Sequence, residues 1–113
     1  MRGGLMERDR IIASAVANFR DCGIYALSVW SAPEMTAEEI VRSVRSRNPR
    51  DLKHGQMRTT TAGRLRTCGF ELVEDGPEMH YSLTLPSPPA DTDWDVLEQT
   101  FDDPEPTPPR EET

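Results

Sequence analysis

The chain has 113 residues, of which 35% are hydrophobic and 29% charged, and its formal net charge is −7. This length fits one domain, and no apolar run approaches the roughly 18 residues that a membrane-spanning helix needs. The N-terminus lacks the apolar core of a signal peptide, so we expect a cytoplasmic protein. The frequent arginine, alanine and proline suggest a GC-rich bacterial genome.

The net charge conceals a segregation along the chain. Residues 1–41 carry four basic and six acidic side chains, residues 42–67 eight and one, and residues 68–113 one and thirteen. The three segments therefore have net charges of −2, +7 and −12. Such a pattern predicts either an interaction surface or charge pairing within the fold.

The N-terminal part of the chain predicts a helix and a strand. We expect residues 1–6 to be flexible, with Met6 as an alternative start. Apolar side chains at helical spacing over 7–22, followed by Gly23, indicate an amphipathic helix with a glycine cap. Residues 24–30 are apolar on both faces, which predicts a strand that is covered on both sides and hence central.

Two further helices follow. Thr36 and Glu39 have the spacing of a capping box, in which each side chain bonds the backbone N–H of the other residue. The polar residues from Ser46 to Gln56 indicate a long loop. A short basic helix is then capped by one of the threonines at 59–61 and stopped by Gly69.

The last part of the chain predicts a hairpin, a linker and an acidic helix. Two strands with apolar side chains on alternate positions flank the turn signal Asp75-Gly76-Pro77. A proline-rich linker from residue 86 leads to a helix over 91–102, and residues 104–113 are expected to be disordered. Cys22 and Cys68, each at the end of a predicted helix, are interpreted as buried apolar residues.

The predicted element order is α-β-α-α-β-β-α. The simplest architecture is an α+β fold in which helices pack on a small three-stranded antiparallel sheet, with a proline-rich acidic C-terminal tail. As domains we predict a flexible N-terminus at 1–6, a core at 7–86, a linker and acidic amphipathic helix at 87–103, and a disordered tail at 104–113.

The acidic helix is the favoured functional element. Its apolar side chains share one stripe and resemble the anchors that a helix places in a partner's groove. Intramolecular packing of the same stripe on the protein's own core is the competing interpretation. The hypothesis is a non-enzymatic regulator, antitoxin- or immunity-like, that binds a basic protein surface through Trp94, Leu97, Phe101, Asp93, Asp95 and Glu98.

The alternative function is nucleic-acid binding, because the element order resembles that of a winged helix and basic residues cluster on and before its third helix. Against it stand the long loop between the second and third helices, the acidic hairpin tip and the acidic net charge. The side chains concerned are Arg42, Arg45, Arg50, Lys53, Arg58, Arg64 and Arg66.

Catalysis has the weakest signal. Cys68 and His80 could be drawn as a nucleophile and its base, but nothing in the sequence orients them. There is no phosphate-binding glycine loop, and the acidic residues at 91–105 lack the spacing of a calcium loop. We therefore predict no catalytic residue, no metal site, no cofactor and no membrane partner.

Overall fold

A computed structural model describes residues 1–48, 52 and 55–108. These residues form four α-helices and two antiparallel sheets of three short strands each, which confirms the α+β class. None of the helices in the described part is long and apolar enough to cross a membrane. In chain order the elements are β1 (Arg2–Gly3), α1 (Arg8–Cys22), β2 (Ala26–Trp30), α2 (Ala37–Arg47), β3 (Gln56–Arg58), α3 (Ala62–Thr67), β4 (Glu71–Glu74), β5 (His80–Thr84), α4 (Asp91–Thr100) and β6 (Glu105–Pro106).

The larger sheet contains the predicted hairpin. Strands β4 and β5 pair across the predicted turn, and β2 joins β5 on the other side. Leu27, Leu83 and Leu72 therefore stand side by side on one face. The prediction that residues 24–30 form the central strand is wrong, because the order is β2-β5-β4. Packing against both faces, and not a central position, explains the apolar composition of β2.

The second sheet was not predicted. It has the order β1-β3-β6 and is built from segments of two or three residues, too short to show an alternating pattern. It uses residues 2–3 of the expected flexible N-terminus, the end of the expected loop, and residues 105–106 of the expected disordered tail. Residues 109–113 of that tail lie outside the described residues.

Backbone hydrogen bonds between Met1 and Trp30 join the two sheets. The backbone N–H of Trp30 donates to the carbonyl oxygen of Met1 at 2.9 Å, and the N-terminal amino group donates to the carbonyl oxygen of Trp30. From Arg2 onward β1 pairs with β3. A cleft bounded by β1, β3 and the start of α1 lies beside this junction.

Two apolar clusters form the core. The larger one joins one face of the β2-β5-β4 sheet to α1, α3 and α4, and the smaller one surrounds Val41 beneath α2. On α1 the predicted stripe is buried only in part, since Ile11 and Ala15 are covered while Val16 and Phe19 remain more than a third exposed. One side of the apolar stripe of α1 is therefore buried, and the other side is exposed to solvent.

Three predicted helix caps agree with the structure, whereas α4 ends at Thr100, two residues before the predicted end at 102. The Thr36 hydroxyl accepts from the Glu39 N–H at 3.2 Å, and the Glu39 carboxylate accepts from the Thr36 N–H at 3.3 Å, so the capping box is formed. Gly23 adopts φ 77° beyond α1, a left-handed conformation that favours glycine. The Thr61 hydroxyl caps α3 by accepting from the Arg64 N–H.

Candidate functional site

The apolar residues of the acidic helix point into the protein itself. Trp94, Leu97 and Phe101 have exposed fractions of 6%, 0% and 4% and belong to the larger core cluster. They can reach a partner only if α4 leaves the core. These three side chains, predicted to bind a partner, therefore pack in the core of their own domain.

Several acidic side chains of this region also have partners within the chain. Arg8 of α1 forms ion pairs with Asp91 and Asp95, and Asp93 accepts from the N–H of Ala90 at 2.7 Å. Glu98 is half-buried in the last turn of α4. Part of the acidic charge of α4 is therefore paired within the fold, here by Arg8 of α1 and not by the basic segment at 42–67.

Arg58 forms hydrogen bonds to the C-terminal end of α4. Its side chain is 8% exposed and donates to the carbonyl oxygens of Glu98, Phe101 and Asp102 at 2.7 to 2.9 Å. The last carbonyls of a helix have no intrahelical donors and carry partial negative charge, so a guanidinium there is well matched. Arg58 is therefore engaged in holding the helix and is not presented to a nucleic acid.

The other predicted basic residues do not form one free surface in the described part of the chain. Arg42 pairs with Glu38, and Arg64 pairs with Asp102 at 2.9 Å. Arg45 donates to the carbonyl oxygens of residues 52 and 108. Arg66 is exposed and has no hydrogen bond or ion pair with described residues, whereas Arg50 and Lys53 lie outside the described residues.

Cys68 and His80 contact different residues. The Cys68 sulfur lies 3.5 Å from the Thr100 hydroxyl, while His80 packs edge-on against Trp30 and bonds through Nδ1 to the carbonyl oxygen of Asp75. Cys22 and Cys68 are both exposed, contrary to the prediction, because the last turns of α1 and α3 project beyond the core. In the described part of the chain, no three His, Cys, Asp or Glu side chains are grouped to hold a metal.

The cleft beside the sheet junction offers a different kind of site. It has a volume of about 570 Å³ and is lined by residues 2–7, by the first two turns of α1 and by Gly55 and Gln56. Two of its walls are contiguous in sequence, and the third comes from a distant segment. The short N-terminal strand therefore forms one side of a concave surface.

Arg2 gives this cleft its charge. Its Nη1 donates to the carbonyl oxygen of Ser28 at 2.8 Å, and its Nη2 lies 3.5 Å from the Ser14 hydroxyl. No carboxylate among the described residues is within ion-pair distance of this guanidinium. Burial without an anionic partner lowers the pKa of Arg2.

The first turn of α1 supplies further charges to the cleft. Arg10 and Glu7 both line it and face each other at 3.8 Å, as an exposed pair that water screens strongly. Together with Arg2 they give the cleft a formal charge of +1. Since guanidinium groups carry five N–H donors and Arg2 uses few of them, donors remain for an anionic ligand.

A second depression, of about 610 Å³, lies between α3 and α4. Its one arginine, Arg64, is already paired with Asp102, and the rest of its lining is uncharged. It therefore lacks the unpaired charge that distinguishes the N-terminal cleft.

Sequence reasoning missed the cleft because Arg2 stands in a segment without pattern or turn chemistry. The Arg2-Gly3-Gly4 stretch shows no period, and only its pairing with Gln56–Arg58 makes it a strand. An arginine in a two-residue strand leaves no signal that a single sequence can display.

Comparisons with known proteins leave this geometry as the only guide to function. The chain matches no protein-family model, no curated protein and no solved structure.

Proposed function

We propose that this protein works by binding a small ligand with a phosphate or carboxylate group in the N-terminal cleft, with Arg2 as the principal anion-binding residue. The observation that carries the proposal is the half-buried Arg2 guanidinium, which lines the cleft and has no carboxylate partner among the described residues. A cation partly withdrawn from water gains most from an anion that brings its own hydrogen-bond acceptors.

The neighbouring contacts support this role. The bonds of Arg2 to Ser28 and Ser14 orient the guanidinium before any ligand arrives, which lowers the entropy lost on binding. Arginine presents a planar fork that matches two oxygens of a phosphate or carboxylate. Arg10 adds a second positive charge at the rim, held only by its long pair with Glu7.

In this proposal the protein is not an enzyme. Cys68 and His80, the residues considered for catalysis, do not line the cleft. The ligand is held by charge and hydrogen bonds from Arg2 and Arg10, and no residue of the cleft is assigned a chemical step.

The test is a titration with inorganic phosphate and, separately, with acetate, followed by NMR shifts of the amides around the cleft. We expect saturable binding of at least one anion at residues 2–7 and 55–56, and a loss of about ten-fold or more in affinity for Arg2→Gln. Phosphate binding alone would identify a phosphate site, and acetate binding alone a carboxylate site.

Arg20→Gln is the matched control, because it removes an exposed arginine from the far end of α1. The control should bind as the unmodified protein does. Equal affinities for the two variants, or shifts scattered over the whole surface, would contradict the proposal. Circular dichroism of both variants separates lost binding from lost structure.

The macromolecular partner expected for the acidic helix stays a prediction, as does its antitoxin- or immunity-like form. It requires a surface other than the buried stripe, or the release of α4 from the core. Nucleic-acid binding through the basic segment likewise stays a prediction, with Arg66 as its exposed and unpaired described residue.

A further inference from the structure

Leu5 is an exposed apolar side chain inside the charged cleft. Its exposed fraction is 44%, although its neighbour Met6 is 4% exposed and belongs to the larger core cluster. A leucine left in water within a concave surface exposes apolar area that a ligand can cover.

The backbone holds Leu5 in this position. Gly4 has φ 90° and Met6 has φ 55°, so left-handed residues stand on both sides of Leu5. The left-handed region is unfavourable for a methionine, and burial of the Met6 side chain in the core stabilises it there. Met6 thus anchors the turn from β1 into α1, and Leu5 remains at the cleft.

We propose that the ligand of the cleft is an amphiphilic organic anion, whose oxyanion binds Arg2 and whose apolar group covers Leu5. This inference rests on the proposed function. The anionic group of the ligand binds Arg2, and the inference describes the rest of that ligand. It combines two properties of one cleft, the unpaired guanidinium and the exposed leucine.

The form of the cleft agrees with such a ligand. A volume of about 570 Å³ holds an organic molecule larger than a free phosphate or acetate ion. Gly3 and Gly4 form part of the lining and have no side chains to block an approach to the wall between Arg2 and Leu5. A bare inorganic anion would leave this apolar part of the wall uncovered.

The experiment compares inorganic phosphate with phenyl phosphate, measured by calorimetry on the full chain. At about pH 8.5 both probes are dianions, so the phenyl group then adds apolar area at the same net charge. We expect phenyl phosphate to bind about ten-fold more tightly, which corresponds to covering several tens of Å² of apolar surface. In Leu5→Ser the two affinities should approach each other while the affinity for inorganic phosphate changes by less than about two-fold.

Val16→Ser is the matched control, because Val16 is a similarly exposed apolar residue of α1 that does not line the cleft. It should keep the full preference for phenyl phosphate. Leu5→Ala serves as a second variant if the serine lowers the thermal midpoint.

The outcomes separate the two proposals. If both probes bind with equal affinity and Arg2→Gln abolishes both, the anion site stands and the amphiphilic ligand is refuted. A preference for phenyl phosphate that persists in Leu5→Ser and Leu5→Ala also refutes it. If the unmodified chain binds acetate but neither phosphate probe, benzoate and acetate replace the two phosphates in the same comparison. If neither phosphate nor acetate binds, the anion site fails and the amphiphilic ligand fails with it.

Discussion

At the scale of single residues, arginines of one chain take opposite roles according to what surrounds them. Arg58 is buried among the carbonyl oxygens at the end of α4, so its donors are used inside the fold. Arg2 has fewer partners and lines a cleft. Arg66 projects into solvent. Burial and hydrogen-bond partners, and not the charge itself, decide which arginine is available to a ligand.

Substitution of Arg58 by alanine should lower the free energy of unfolding by about 3 kcal/mol, because it removes charge-assisted hydrogen bonds and leaves carbonyl oxygens of the α4 terminus without donors. Urea denaturation monitored by tryptophan fluorescence measures the change. Arg66→Ala is the control and should alter stability by less than about 0.5 kcal/mol. A loss from Arg58→Ala no greater than that of the control would show that the α4 terminus does not depend on this side chain.

Among the secondary-structure elements, α4 differs most from its prediction, because its apolar stripe was expected to bind a partner and lies in the core. Its acidic face and apolar stripe suit a partner's groove, but the same stripe also suits the protein's own sheet. The structure places the stripe in the core and ties the helix to Arg8 and Arg58. For a helix tethered next to an apolar face of its own sheet, packing its apolar stripe on that face has a lower free energy than leaving the stripe in water until a partner binds.

Leu97→Ala should destabilise the whole domain by about 3 kcal/mol, since Leu97 is fully buried and its truncation leaves a cavity. Val96→Ala, one residue away and 38% exposed, should cost less than about 1 kcal/mol. Thermal unfolding of both variants provides the comparison. A small effect at Leu97 would mean that α4 detaches readily, and the prediction of a partner for its stripe would gain support.

At the scale of the whole molecule, the junction between Met1 and Trp30 holds two small sheets together. Neither sheet has more than three strands, and the strands of the second have only two or three residues. Such a sheet depends on its neighbours for stability. The junction buries the N-terminal amino group, and this burial lowers its pKa from 8.0 to about 6.

The buried amino group predicts a pH dependence for the chain that begins with Met1. Between pH 6 and 8 the folded state holds this group neutral while the unfolded state binds a proton, so stability falls as the pH is lowered through this range. The difference should reach about 2 kcal/mol between pH 8 and pH 6. An acetylated N-terminus cannot titrate and is the control, because both forms contain the same histidines. Parallel stability profiles for the two forms would refute the prediction.

Local patterns predicted much of the fold. The Thr36 capping box, the Gly23 cap and the hairpin around Asp75-Gly76-Pro77 depend on residues close in sequence, and their chemistry is visible there. The helices were predicted for the same reason. By contrast, the central position of β5 depends on which strands meet in space, and the apolar composition of β2 could not distinguish an edge from a centre.

The α+β class, the helices, the hairpin of the larger sheet and the segregation of charge could all be predicted from the chain alone, because each follows from spacing or composition within a short window. The burial of the acidic helix's apolar stripe, the capping of α4 by Arg58 and the meeting of Arg2 and Leu5 at one cleft emerged from the folded structure. These outcomes depend on contacts between residues far apart in sequence, such as Arg2 with Ser28 and Arg58 with Phe101. Long-range contacts of this kind carry no local period, so the cleft could not be predicted from the sequence.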